Sequence, residues 1–162
     1  MKLPVKLLLF LVITFSAVGC DRVTKHLAKE HLAHREGISY WNDTFRLEYA
    51  ENTGAAMSLG ADWPESLRFG LLHLFPVAML FFLLIYTLRQ AGQLPTGQIA
   101  ALALIFSGGV GNLTDRIFHD SRVPDFMILS VQDLHTGIFN VADVCITVGV
   151  LLMLGLQFLK KD

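Results

Sequence analysis

The sequence predicts an all-α membrane protein with four transmembrane helices, built as a single domain over residues 1–162. Two observations support this fold class. Of the 162 residues, 53% are hydrophobic and only 17% are charged, whereas a soluble domain carries about 25% charged residues. Several apolar runs also approach the ~20 residues that a helix needs to cross the hydrocarbon core of a bilayer. The net charge of −1 and the lack of a basic block give no reason to expect a nucleic-acid partner.

The predicted helices cover residues of about 4–32, 64–89, 97–118 and 138–159. In the second, residues 67–88 are mostly apolar and long enough to span a bilayer. The third is interrupted, because its apolar run ends at Ser107. It spans only if the polar stretch that follows continues the helix.

The first apolar run admits two interpretations. Its basic start, the run Leu7–Val18 and the following Gly19 and Cys20 resemble the signal peptide of a secreted lipoprotein, cleaved before Cys20. We favour a first transmembrane helix, because further hydrophobic segments follow. Ala17 also stands where Leu is usual in such a cleavage box.

The basic residues predict the orientation of the helices. In a four-span arrangement one side of the membrane receives Lys2, Lys6, Arg89, Lys160 and Lys161. Cytoplasmic loops carry an excess of Lys and Arg, so both termini are expected in the cytoplasm. The polar ends of the first, third and fourth helices then meet at the outer face.

Strand patterns occur in the two segments expected to face outward. Residues 45–49 alternate apolar and polar side chains with period two, which is typical of a half-buried strand. Residues 125–131 favour a second short strand in the connecting segment 119–137.

A polar cluster between residues 107 and 143 interrupts the apolar pattern of the last two helices. Polar groups at membrane depth are costly, which suggests that they are used. The spacing i, i+3, i+4 puts Asn112, Asp115 and Arg116 on one face of the third helix. Asn140 and Asp143 likewise share a face of the fourth. Asp115 and Arg116 could form an ion pair, so we expect structural support from them rather than catalysis.

Asp125 and Asp143 are the candidates for chemistry. Two carboxylates brought together in a half-dry site share a proton, because they cannot both ionise easily. One can then act as a base on water and the other as an acid on a substrate carbonyl, which suits peptide hydrolysis without metal or cofactor. The sequence has no G-x-S-x-G motif of a serine hydrolase, no phosphate-binding glycine loop and no Cys-x-x-Cys pair.

The histidines and the cysteines favour structural interpretations. His26, His31 and His34 fall within about 140° of arc on one helix, so a metal site is conceivable, but no H-E-x-x-H signature accompanies them. We expect exposed histidines and no metal. Cys20 and Cys145 are expected to be small apolar core residues.

Five motifs, taken in order, resemble the lipoprotein signal peptidase (signal peptidase II) family. They cover nearly the whole chain, from about residue 7 to 159, and comprise Asp21-Arg-Val-Thr-Lys25, Asn52-Thr-Gly-Ala-Ala-Met-Ser58, Gly108-Gly-Val-Gly-Asn-Leu-Thr-Asp-Arg116, Val123-Pro-Asp-Phe126 and Phe139-Asn-Val-Ala-Asp143.

This resemblance implies an aspartyl endopeptidase of the bacterial inner membrane, working as a monomer near the outer face. Its substrate would be a prolipoprotein that carries diacylglycerol on a cysteine, cut just before that cysteine, with membrane lipid around it. Asp125 and Asp143 match the catalytic pair, and the family fold adds a small outward β-cradle at about 37–61. Positions that shape or support the site are matched by Asp21, Asn52, Asn112, Asp115, Arg116 and Asn140.

The chain departs from the family pattern at several positions. Pro124 stands where a small aliphatic residue is usual, Arg22 replaces a common Gln, and Met57 replaces a common Phe. Segment 131–138 lacks a frequent aromatic. Pro124 biases Val123 towards an extended conformation, and with these departures we still expect an active enzyme. A rival interpretation is a small proton-coupled carrier, but the internal repeats common in carriers are not found here.

Overall fold

The computed structural model describes residues 2–54, 60, 62–132 and 134–158. Four helices in it are long and apolar enough to cross a membrane, as predicted: α1 (Leu3–Leu32), α2 (Glu65–Gln90), α3 (Thr96–Phe118) and α4 (Val141–Phe158). Four short strands form one antiparallel sheet in the order β1-β2-β3-β4: β1 (Ile38–Tyr40), β2 (Phe45–Asn52), β3 (Val123–Val131) and β4 (Leu134–His135).

Helix α3 is the centre of the bundle and packs against α1, α2 and α4. In its most apolar window 44% of residues are buried inside the protein, against 11% in each of the other three helices. Small residues make this position possible. A methyl group on Gly108 would overlap the carbonyl oxygen of Ala142 in α4, and one on Gly111 would lie 2.7 Å from the Asp21 carboxylate of α1. The glycines therefore let three helix backbones approach closely.

Helix α2 is continuous but irregular. It contains a π-helical turn at Gly70–Leu74, which ends two residues before Pro76. Proline has no backbone N–H and cannot complete the regular hydrogen-bond ladder, so a local change of helix type at this point has a chemical cause.

The sheet is attached to the helices by a small apolar cluster in which Ala28 and Leu32 of α1 pack with Phe126 of β3 and Leu47 of β2. Strands β2 and β3 pair so that Asn52 lies opposite Val123 and Ala50 opposite Asp125, with an irregularity in register between Leu47 and Ala50. This pairing brings the end of β2 next to the start of β3. The strands predicted at 45–49 and 125–131 are confirmed, and both are longer than predicted.

Three details differ from the sequence predictions. Helix α4 begins at Val141 and not at Ile138, because Phe139 instead forms a β-bridge with Met127. Cys20 was expected in the core, but its side chain is exposed, and Cys145 is partly buried. In the predicted β-rich segment 37–61, β2 ends at Asn52, and residues 55–59 and 61 lie outside the described part of the chain.

The amino-terminal end of α1 and the α2–α3 connection lie at the same end of the bundle. Lys6 is 7% exposed, and its Nζ donates hydrogen bonds to the carbonyl oxygens of Gly92 at 3.1 Å and Leu94 at 2.8 Å. Arg89 lies at the same end of α2. Lys160 and Lys161, which also entered the orientation prediction, lie outside the described residues. Helix α1 runs without a break through Cys20.

Candidate active site

Asp125 and Asp143 line the same cavity, which has a volume of about 850 Å³. Asp125 lies on β3 and is 3% exposed, whereas Asp143 is partly buried in the first turn of α4. The sequence separates them by a loop, and the fold brings both to one place at the junction of sheet and helices. The cavity wall beyond them is largely apolar, with contributions from Leu71, Phe75 and Val148.

Asn140 connects the two carboxylates. Its Nδ2 donates to Asp125 Oδ1 at 2.5 Å, and its backbone N–H donates to Asp143 Oδ2 at 3.1 Å. In return, its Oδ1 accepts the backbone N–H of Asp143 at 3.0 Å. The exchange between residues three apart is the geometry of a capping box, which satisfies two free N–H groups at a helix start. Asn140 is fully buried and therefore holds both the start of α4 and the two aspartates.

Two further amides complete the hydrogen bonds of the carboxylates. Asn52 Nδ2 donates to Asp125 Oδ2 at 3.0 Å, while Asn52 Oδ1 accepts the backbone N–H of Gly54 at 2.9 Å. Asn112 Nδ2 donates to Asp143 Oδ1 at 2.8 Å, and its Oδ1 accepts from Asn140 Nδ2 at 3.1 Å. Each oxygen of both aspartates thus receives one N–H donor.

Asp21 and Asp115 lie in a charged layer behind this amide layer. Lys25 Nζ contacts Asp21 Oδ2 at 2.8 Å, Asp115 Oδ2 at 2.6 Å and Asn112 Oδ1 at 3.0 Å. Arg22 adds a second cation, 2.7 Å from Asp115 Oδ1. Asp21 also accepts the backbone N–H of Ala142 at 3.0 Å, which ties α1 to the first turn of α4. Two carboxylates and two cations balance their charges, as burial of ions requires.

The predicted ion pair between Asp115 and Arg116 is wrong. Asp115 is paired with Arg22 and Lys25, whereas the Arg116 guanidinium turns to the cavity and donates to the carbonyl oxygen of Gly54 at 2.8 Å. Consecutive residues on a helix point about 100° apart, so Asp115 faces α1 while Arg116 faces the loop after β2.

Burial is the main influence on the charge of Asp125. It raises the pKa of this carboxyl to about 6, and the nearby Asp143 acts in the same direction. The hydrogen bonds from Asn52 and Asn140, and the charge of Lys25, partly oppose this rise. Asp125 therefore holds a proton to a higher pH than a free aspartic acid does.

Lys25, to which the sequence analysis gave no role, lies at the centre of this network. It is 4% exposed, and its three short contacts satisfy all three donors of an ammonium group. Its position four residues after Asp21 was a usable signal, since i, i+4 pairs share a helix face. In the described part of the chain, no three His, Cys, Asp or Glu side chains come together as a metal site, and His26 and His31 are exposed.

The comparisons with known proteins agree on one family. The family model described as Signal peptidase (SPase) II matches residues 13–159. A lipoprotein signal peptidase of Sulfurihydrogenibium sp. is 35% identical over 156 residues, which cover 96% of this chain and 94% of the relative. One from Symbiobacterium thermophilum is 38% identical over 153 residues, covering 94% and 93%. One from Borrelia hermsii is 31% identical over 160 residues, covering 93% and 90%.

Solved structures support the fold. Two structures described as bacterial membrane enzymes superpose with TM-scores of 0.81 and 0.80. The first is 22% identical and covers 94% of this chain and 89% of that one. The second is 23% identical and covers 94% of both. With a family model that spans most of its length and relatives above 30% identity, the chain belongs to the signal peptidase II family of membrane proteases.

Proposed function

We propose that this protein removes the signal peptides of diacylglyceryl-modified prolipoproteins by cutting just before the lipidated cysteine, with Asp125 and Asp143 as the catalytic pair. The single observation that carries the proposal is the shared cavity of the two carboxylates, joined through Asn140. Family membership supports the class of substrate, since the relatives are lipoprotein signal peptidases.

The cavity suits a lipidated peptide, because its polar and apolar parts are separate. The aspartates and amides form one end, and apolar side chains of α2 and α4 form much of the rest, among them Leu71, Phe75 and Val148. Acyl chains and the apolar part of a signal peptide can pack against this wall by close van der Waals contact, which is what drives association of apolar groups inside a membrane. The scissile peptide bond then lies at the polar end.

Asp125 is assigned as the general acid and Asp143 as the general base. Burial raises the pKa of Asp125 to about 6, which suits a group that has to hold and then donate a proton. Asp143 lies in the first turn of α4, where the helix dipole and the N–H donors of Asn140 and Asn112 stabilise a negative charge. In the form of the pair that carries one proton, we accordingly assign the proton to Asp125 and the role of base to Asp143.

Peptide hydrolysis then proceeds in two steps. In the first, water attacks the scissile carbonyl carbon, Asp143 takes a proton from the water, and Asp125 gives its proton to the carbonyl oxygen. In the second, the C–N bond breaks as Asp143 passes its proton to the leaving cysteine nitrogen. Asp125 recovers a proton from a hydroxyl of the tetrahedral intermediate. The pair ends in its starting state, as general acid–base catalysis requires.

The proposed setting is the bacterial inner membrane, with both termini in the cytoplasm and the site near the outer face. The two hydrogen bonds between Lys6 and the α2–α3 connection support placing the amino terminus and Arg89 on the same side of the membrane. An excess of basic residues at that end favours the cytoplasm. We further propose that a single chain is sufficient, since this chain by itself supplies an N–H donor to each carboxylate oxygen of the two aspartates.

The test is cleavage of a synthetic diacylglyceryl-modified prolipoprotein by purified Asp125→Asn and Asp143→Asn variants. Both are expected to lose turnover while retaining the thermal unfolding transition of a folded protein. Asp120→Asn is the matched control, because Asp120 is exposed and lies outside the cavity of the aspartates. Normal turnover by Asp125→Asn or by Asp143→Asn would refute the assignment of these two residues as the catalytic pair. Cleavage at a bond other than the one before the lipidated cysteine would refute the proposed specificity.

A further inference from the structure

The amides around the aspartates have to be held in one orientation for their N–H groups to face the carboxylates. The ends of an asparagine side chain are similar in shape, so the surrounding donors decide which end faces which way. The backbone N–H of Gly54 donates to Asn52 Oδ1, and the backbone N–H of Asp143 donates to Asn140 Oδ1. These two donors fix the orientation of the Asn52 and Asn140 amides. Neither donor depends on a side chain.

Asn112 is different, because a side chain orients it. Its Oδ1 accepts from Lys25 Nζ at 3.0 Å and from Asn140 Nδ2 at 3.1 Å, so its Nδ2 must face Asp143. An ammonium group can only donate hydrogen bonds. If the Asn112 amide were reversed, its own N–H groups would therefore face the N–H groups of Lys25 and Asn140. The reversed amide would also turn an oxygen towards the carboxylate of Asp143.

We propose that Lys25 is a positioning residue for catalysis, which fixes the orientation of Asn112 and thereby keeps an N–H donor on Asp143. This inference rests on the proposed function, since it assumes that Asp143 is the charged base. Lys25 acts through Asn112 and touches neither aspartate of the pair, and it does not line the cavity.

The carboxylates around Lys25 explain why its ammonium group can be buried in the protein. It faces Asp21 on its own helix and Asp115 on α3, and Arg22 shares both carboxylates. Asp115 also lies 3.4 Å from His119 Nδ1. On the side of the cavity, Asp125 faces Asp143, and the charge of Lys25 opposes part of the rise in the pKa of Asp125 that burial causes. Removing Lys25 thus removes both a donor to Asn112 and a positive charge near the pair.

The test compares Lys25→Met with Lys25→Arg on the diacylglyceryl-modified substrate. In Lys25→Met, kcat is expected to fall on the order of 10²-fold, because misplacing a catalytic group costs about that much. KM should stay within about twofold, since a residue outside the cavity makes no contact with bound substrate. The basic limb of the pH–rate profile should move to higher pH, because Asp125 then keeps its proton longer. Lys25→Arg, which retains charge and donors, should recover part of kcat.

Controls separate this role from a purely structural one. Lys29→Met, one turn further along α1 at an exposed position, should leave all three quantities unchanged. If Lys25→Met does not fold, the double variant Lys25→Met/Asp115→Asn keeps the buried charges balanced and still lacks the donor, so the same fall in kcat is expected.

Two results would overturn the inference. One is a variant without Lys25 that folds and keeps the wild-type kcat and pH profile. The other is a loss of activity that appears in KM alone. Both are distinct from failure of the proposed function, which would show as normal turnover by Asp125→Asn or Asp143→Asn.

Discussion

Replacing Asp125 by Asn should make the protein more stable at neutral pH while it abolishes activity. Asp125 is 3% exposed, and its burial raises the pKa from 3.8 to about 6. At pH well above 6 the fold therefore contains a charged carboxylate whose ionisation it opposes by about 3 kcal/mol. Asparagine has nearly the same shape and no charge. It cannot accept from both Asn52 and Asn140, and losing one hydrogen bond costs about 1 kcal/mol.

The net gain is about 2 kcal/mol above pH 7, or a rise of about 5 °C in Tm for a chain of this size. The pH dependence follows from the raised pKa. A carboxyl whose pKa is higher in the folded state contributes stability below its unfolded pKa and loses it as pH rises through the folded value. The advantage of Asp125→Asn should accordingly be small or negative near pH 4.5, grow as the pH rises towards 6 and level off by about pH 7.

The assay is thermal unfolding in detergent micelles from pH 4.5 to 7.5, taken as the difference in Tm between Asp125→Asn and the wild type. Groups that titrate equally in both proteins cancel in that difference. The exposed Asp120→Asn should show no such trend. A difference that stays flat, or that shrinks as the pH rises, would show that burial does not govern the charge of Asp125.

Three further predictions concern packing, a buried cation and metal dependence. Lys6→Met should lower the free energy of unfolding by about 2–3 kcal/mol, because it removes two charge-assisted hydrogen bonds to the carbonyls of Gly92 and Leu94. Thermal unfolding measures this loss, with the exposed Lys2→Met as the control. Gly108→Ala should cost about 1–3 kcal/mol, since the methyl group meets backbone of α4, and Gly155→Ala, with nothing within 4 Å, should cost much less in the same measurement. Treatment with EDTA should leave turnover unchanged, and activity that is lost and then restored by zinc would revive a metal role for the histidines.

The amino-acid sequence by itself determined the elements of this protein. Apolar run length gave the four helices, because a bilayer of fixed thickness demands about 20 apolar residues per span. Period-two alternation gave β2. The spacing of Asn140 and Asp143 predicted that their side chains lie on one side of the last helix, and the motifs predicted the family. These features depend on local geometry or on short patterns, so they need no knowledge of the neighbours.

The partners across elements were decided only by the tertiary structure. The helical period puts Asp115 and Arg116 on adjacent faces, but it does not say which element each face meets. The ion pair predicted between them was wrong for that reason. The register of β2 against β3 brings Asn52 to Asp125, and the close approach at Gly111 brings α1 to the site. Lys25 shows the physical reason: a buried cation is tolerable only where distant carboxylates and an amide converge on it, and that convergence exists only in the folded chain.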